Sequence, residues 1–108
     1  MNFLNRLQNW FSKSGRDDNL MSSAMEHAKN KDPGEAVKIY TELLQSPGTS
    51  GETRARALFN RALAHSALKD DKRAIADLKQ LTSMDGVPEN VRTAARNQLV
   101  RLSNRSPA

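Results

Sequence analysis

The chain has 108 residues, 37% of them apolar, with few aromatics and no cysteine, which fits one small domain whose core is built from leucine, alanine, methionine and valine. The missing cysteines exclude disulfides and thiolate zinc sites and suit a reducing compartment, so a cytoplasmic location is expected. The net charge of +5 sits at the two ends: residues 1–16 carry Arg6, Lys13 and Arg16 without an acid, and residues 87–108 carry four Arg against Glu89.

Hydrophobic spacing is helical throughout, and no run alternates with period two. Phe3, Leu4, Leu7, Trp10 and Phe11 form one apolar stripe on a short N-terminal amphipathic helix. No stretch reaches the roughly 20 apolar residues that span a bilayer, and polar residues interrupt the apolar run that a secretory signal would need. The segment "SGRDDN" breaks the first helix, and its Asp residues can cap a second one running to about Asn30. Asp32-Pro33-Gly34-Glu35 reads as a third start, with an Asp cap and Pro at the first helical position. After the linker "SPGTSG", Thr49-x-x-Glu52 is expected to begin a fourth helix through about Leu68. Asp70 caps a fifth, Gly86 and Pro88 stop it, and Pro88 opens a last helix to about Leu102. The fold class is therefore all-α.

The chain echoes itself at a spacing of 38 residues, pairing Leu20/Leu58, Ala24/Ala62, His27/His65, Lys31/Lys69, Asp32/Asp70, Ala36/Ala74 and Leu43/Leu81. Each copy reads as a large residue, a small one four later and a ring three beyond. A second helix follows with Ala, a bulky residue and a stop. The residues are Leu58, Ala62, His65, Ala74, Leu78 and Gly86/Pro88 in one copy, and Leu20, Ala24, His27, Ala36, Tyr40 and Pro47/Gly48 in the other. This pattern resembles the tetratricopeptide repeat over residues 20–85, with the family's usual Trp, Gly and Tyr replaced by Leu, Ala and His. Small side chains at Ala24, Ala62, Ala36 and Ala74 let paired helices approach to about 8–10 Å. Tyr40 and Leu78 are expected to fill the wedge between pairs.

The resemblance implies a short right-handed α-solenoid. An N-terminal arm (1–16) would precede a helical domain (17–103) and a tail (104–108). The repeats fall at about 17–48 and 51–86, and a capping helix at 88–102. It also implies an adaptor that binds a peptide or helix of another protein on the first helices of each pair. Carried over, Met21, Met25, Phe59 and Leu63 line the groove, with Arg56 and Ser66 at its edges. Arg92 and Arg96 stand ready to hold an acidic segment.

The stripe of Phe3, Leu4, Leu7, Trp10 and Phe11 has several readings. It can cap the array or fold over the groove, lie on a membrane surface or a partner through residues 2–12, or serve as a mitochondrial-type targeting segment. A peripheral membrane protein anchored by this helix is thus the alternative function. Homo-oligomerisation stays open.

His27 and His65 occupy equivalent packing positions about 8–10 Å apart, too far to share a zinc ion at about 2.1 Å each. No nucleophile–base motif or phosphate-cradling loop occurs, so no enzyme activity, cofactor or metal is expected. Nucleic acid is not an expected partner either, because the C-terminal Arg set has no aromatics among it.

Overall fold

The computed structural model describes residues 20–27, 30 and 32–105, which contain helices and no strand. Residues 20–27 form α1, followed by α2 (Pro33–Gln45), α3 (Gly51–Ala67), α4 (Asp71–Thr82) and α5 (Glu89–Arg105). The expected helix over Phe3–Phe11 lies outside the described residues. Helix α3 packs most extensively on α4 and α2, and α4 on α5, so the chain folds as a row of neighbouring hairpins.

The boundaries follow from local chemistry. Orphan amides at the start of α2 and α4 are met by Asp carboxylates: Glu35 N–H donates to Asp32 Oδ1 at 3.4 Å, and Arg73 N–H to Asp70 Oδ1 at 3.2 Å. The Asp32 amide donates in turn to the His27 carbonyl at 2.7 Å, and the Asp70 amide to that of His65 at 2.9 Å. The two hairpin turns are thus built alike, as the sequence echo predicts. Gly48 and Gly86, each just past a second helix, take left-handed φ angles of 77° and 73°. Lys69, between α3 and α4, takes φ 65° without being glycine, a conformation strained for an L side chain.

Two expected boundaries move. Ser50, not Thr49, caps α3, its Oγ accepting from the Thr53 amide at 3.1 Å. The Thr49 hydroxyl instead donates to the Ser46 and Leu43 carbonyls at 3.0 and 3.4 Å, closing the end of α2. Glu52 pairs forward with Arg56 at 3.0 Å. The second shift is in α5, which begins after Pro88, whose carbonyl accepts the Val91 and Arg92 amides at 3.0 Å. It runs on to Arg105, because that guanidinium is held by Asp71 at 2.7 Å and by the Ser66 hydroxyl at 2.8 Å.

Packing rests on alanine. Ala24, Ala36, Ala62 and Ala74 are all buried, where small side chains let paired helices close up. Helix α3 uses two opposite faces. Ala57 and Ala64 join Ala24, Ala36, Tyr40 and Leu43 of the first pair, whereas Ala55, Leu58 and Ala62 join Ala74, Leu78, Leu81 and the α5 residues Val91, Ala95 and Leu102. Tyr40 and Leu78 are fully buried, as expected.

One arginine at each junction fastens a hairpin to the helix that follows it. Arg54 Nη1 donates to the Leu44 carbonyl at 2.9 Å, and Arg92 Nη1 to the Thr82 carbonyl at 2.7 Å, meeting open carbonyls at the ends of α2 and α4. Donor and acceptor both recur at the repeat spacing, so α5 joins the array much as α3 does.

Ala62→Leu is expected to overpack the α3–α4 crossing and cost about 1–3 kcal/mol. Lys72→Leu, at an exposed site, should stay within about 0.5 kcal/mol. Thermal or urea melts check this, and equal losses would place Ala62 outside the crossing. Lys69→Gly, which relieves the left-handed φ, should raise stability by about 1 kcal/mol in the same assay.

Candidate functional site

Two adjacent recesses open between the first helices of successive pairs. One, of about 300 Å³, is lined by Met25 of α1, Pro33 and Tyr40 of α2, and Asn60, Leu63, Ala64 and Ala67 of α3. The other, of about 240 Å³, lies between α3 and α5 and is lined by Arg56, Phe59, Asn60, Asn90, Val91 and Ala94. Both are near the lower end of ligand-sized pockets. Asn60 belongs to both.

Sequence periodicity explains why these walls exist. On α3 the buried stripes leave Leu63 on the remaining face, 40% exposed, and on α1 Met25 is 52% exposed. Two large apolar groups therefore stand in water on the rim of a recess floored by alanine and the buried Tyr40. Burial also pushes the Tyr40 phenol above its ordinary pKa.

The expected site residues separate. Met25 and Leu63 line the first recess, Arg56 and Phe59 the second. Met21 is half-buried against the first-pair core, its sulfur 3.8 Å from Asn60 Nδ2. Phe59 is also half-buried, packed on the second-pair core, so it serves the fold as well as the recess. Arg56 is bound to Glu52, and the Ser66 hydroxyl accepts from Arg105. Arg96 is exposed on α5. Arg92, expected to be able to hold an acidic segment, is also engaged within the fold. Its guanidinium donates to the Thr82 and Met84 carbonyls, because the end of α4 presents unpaired acceptors beside it.

Asn60 was not among the expected groove residues. Its signal was a carboxamide one residue from Phe59 and three from Leu63, on a helix whose other faces are apolar. It brings hydrogen-bonding capacity to the mainly apolar wall of the first recess.

A second polar constellation was also missed. Arg61 of α3 donates twice to Asp77 of α4, from Nε at 2.8 Å and Nη2 at 2.7 Å, and once to Thr41 of α2 at 3.0 Å. Three successive helices are tied by one guanidinium. The Asp77 side chain is 7% exposed and that of Arg61 20%, so most of this ion pair is withdrawn from water. Its signal lies in the stripes, since Arg61 stands within Leu58, Ala62 and His65, and Asp77 within Ala74, Leu78 and Leu81. A charge inside an apolar stripe demands a buried partner.

His65 Nε2 lies 3.8 Å from Asp77 Oδ2. Burial holds the imidazole below its usual pKa; the pull of Asp77 and Asp70 opposes this, and Arg61 and Arg73 reinforce it. His27, its counterpart, is half-buried and faces Asp32 at 3.6 Å. Among the described residues no group of three His, Cys, Asp or Glu side chains could hold a metal ion.

The family model for the tetratricopeptide repeat matches residues 55–87, the span from α3 through α4 to Val87. No curated protein and no solved structure matches the chain.

Asp77→Ala should cost about 3 kcal/mol, because it leaves the Arg61 charge unpaired. Glu52→Ala, which breaks an exposed pair, should cost less than about 1 kcal/mol. Denaturant titration separates the two, and equal values would contradict a buried pair. For His65 the folded pKa lies below the unfolded one, so its contribution is complete above about pH 6.5 and lost as pH falls through the folded value. Between pH 7.5 and 5.5 the wild-type melting temperature should drop more than that of His65→Gln.

Proposed function

We propose that this chain, an all-helical protein with a tetratricopeptide-repeat match over residues 55–87, is an adaptor that seats a peptide or short helix of another protein in the two recesses along α1, α3 and α5. Such repeats are generally protein-interaction scaffolds rather than enzymes, and we assign no catalytic step and no cofactor. The observation that carries the reading is the pair of adjoining recesses sharing Asn60, with Met25 and Leu63 half or nearly half exposed at the rim.

Apolar area left in water favours cover at about 25 cal/mol per Å², before the ordering costs of association. Met25 is unbranched and polarizable, so it can conform to differing ligand side chains. The carboxamide of Asn60 can hydrogen-bond a ligand backbone that crosses the helices, fixing its register while the apolar walls supply affinity. Among the described residues no helix is long and apolar enough to cross a membrane. We place the activity in the cytoplasm, which a cysteine-free chain suits.

Leu63→Asp should weaken capture of the bound protein by about tenfold or more while leaving helicity intact, because Leu63 is exposed. Asn60→Ala should weaken it less, and Lys72→Glu, at an exposed site outside the recesses, should not. Quantitative pull-down or calorimetry with each variant reads the order. Capture lost equally in Lys72→Glu, or retained in Leu63→Asp, would move the binding surface elsewhere.

A further inference from the structure

The first recess has a candidate occupant within the same chain. Nineteen residues precede Leu20, and among them Phe3, Leu4, Leu7, Trp10 and Phe11 recur at the spacing of one face of a helix. We propose that this N-terminal segment docks its aromatic end, Trp10 and Phe11, into the recess between α1 and α3, so that a partner must displace it to bind.

The surfaces of the first pair direct the segment there. Apart from Met25, the exposed residues of α1 and α2 are Ser22, Ser23, Glu26, Lys38, Glu42 and Gln45, all polar. A helix with an apolar stripe gains nothing by covering such a face. The large apolar side chains left exposed among the described residues are Met25, Leu63, Leu68 and Val100, and two of these four share this recess. Its floor of Tyr40, Ala64 and Ala67 suits a flat ring.

The tether permits the contact. Eight residues separate Phe11 from Leu20 and can span about 30 Å when extended. Met25 lies only about 7.5 Å along α1 from Leu20. The linker "SKSGRDDN" is polar and contains a glycine, so it can turn back. A tether of only eight residues keeps the aromatic end at a high effective concentration, so a weak intrinsic contact suffices to fill the recess. The same weakness lets a better ligand replace it.

Trp10 is the only tryptophan, so its fluorescence in the full chain reports the contact directly. In dilute solution the emission should be blue-shifted and shielded from iodide relative to the urea-unfolded chain. Leu63→Asp and Met25→Asp should each shift it to the red and raise the quenching constant several-fold, with unchanged circular dichroism. Ser23→Asp, on the polar face, should leave it alone. Four results would overturn the proposal. They are a Trp10 already solvent-exposed in the wild type, and a blue shift that survives both recess variants. The others are a shift that grows with protein concentration, where a second copy supplies the cover, and one that appears only with vesicles of anionic phospholipid. Partner capture that stays sensitive to Leu63→Asp while Trp10 is free would reject the docked segment and leave the adaptor reading standing.

Discussion

The close approach of helices over alanine is the constraint on which the rest of the structure depends. Ala24 with Ala36, and Ala62 with Ala74, are buried within the two hairpins. Ala57 and Ala64 serve the contact of α3 with the preceding pair. Small contact residues shorten the distance between axes, and bulk is then needed only in the wedges, where Tyr40, Leu43, Leu78, Leu81 and Leu102 lie. The same economy leaves shallow recesses between first helices, because no large side chain of the chain's described part fills them. Groove and core are two consequences of one packing rule.

The two hairpins share their turns but not their interiors. Both have the Asp cap, the amide-to-histidine-carbonyl bond and a left-handed glycine after the second helix. Only the second has the Arg61–Asp77 pair. Position 39, equivalent to Asp77, is Ile39, and position 23, equivalent to Arg61, is Ser23. By reaching Thr41 as well, Arg61 couples the second hairpin to the first at a fixed geometry. A buried pair of this kind adds little net stability over an apolar substitute, but losing either partner is costly.

Much of the fold was legible because its signals are local. Asp32-Pro33 and Asp70 announce helix starts through backbone amides that must be capped, and the alanines announce crossings through size alone. The Thr49 expectation failed because Ser50, one residue on, offers the same hydroxyl, and sequence cannot rank two adjacent caps when one of them is drawn to the carbonyls ending α2. The carbonyl contacts of Arg92 were not legible for a related reason: its acceptors, Thr82 and Met84, become neighbours only when α5 folds back along α4. Leu63 and Met25 were expected in a groove because the family resemblance implies it, whereas Asn60 emerged only when the recesses on either side of it were seen to meet.

The central claim is that the face formed by the first helices carries the binding surface, and the methionines offer the most direct test. The chain has Met21 and Met25 on α1, and Met84 beyond α4 against the second-pair core. Methyl-labelled methionine resonances, followed by nuclear magnetic resonance as the captured partner is added, report both regions at once. The account predicts that the Met21 and Met25 methyl signals move or broaden at stoichiometric partner while Met84 holds its position. A shift of Met84 with Met21 and Met25 unchanged would contradict it.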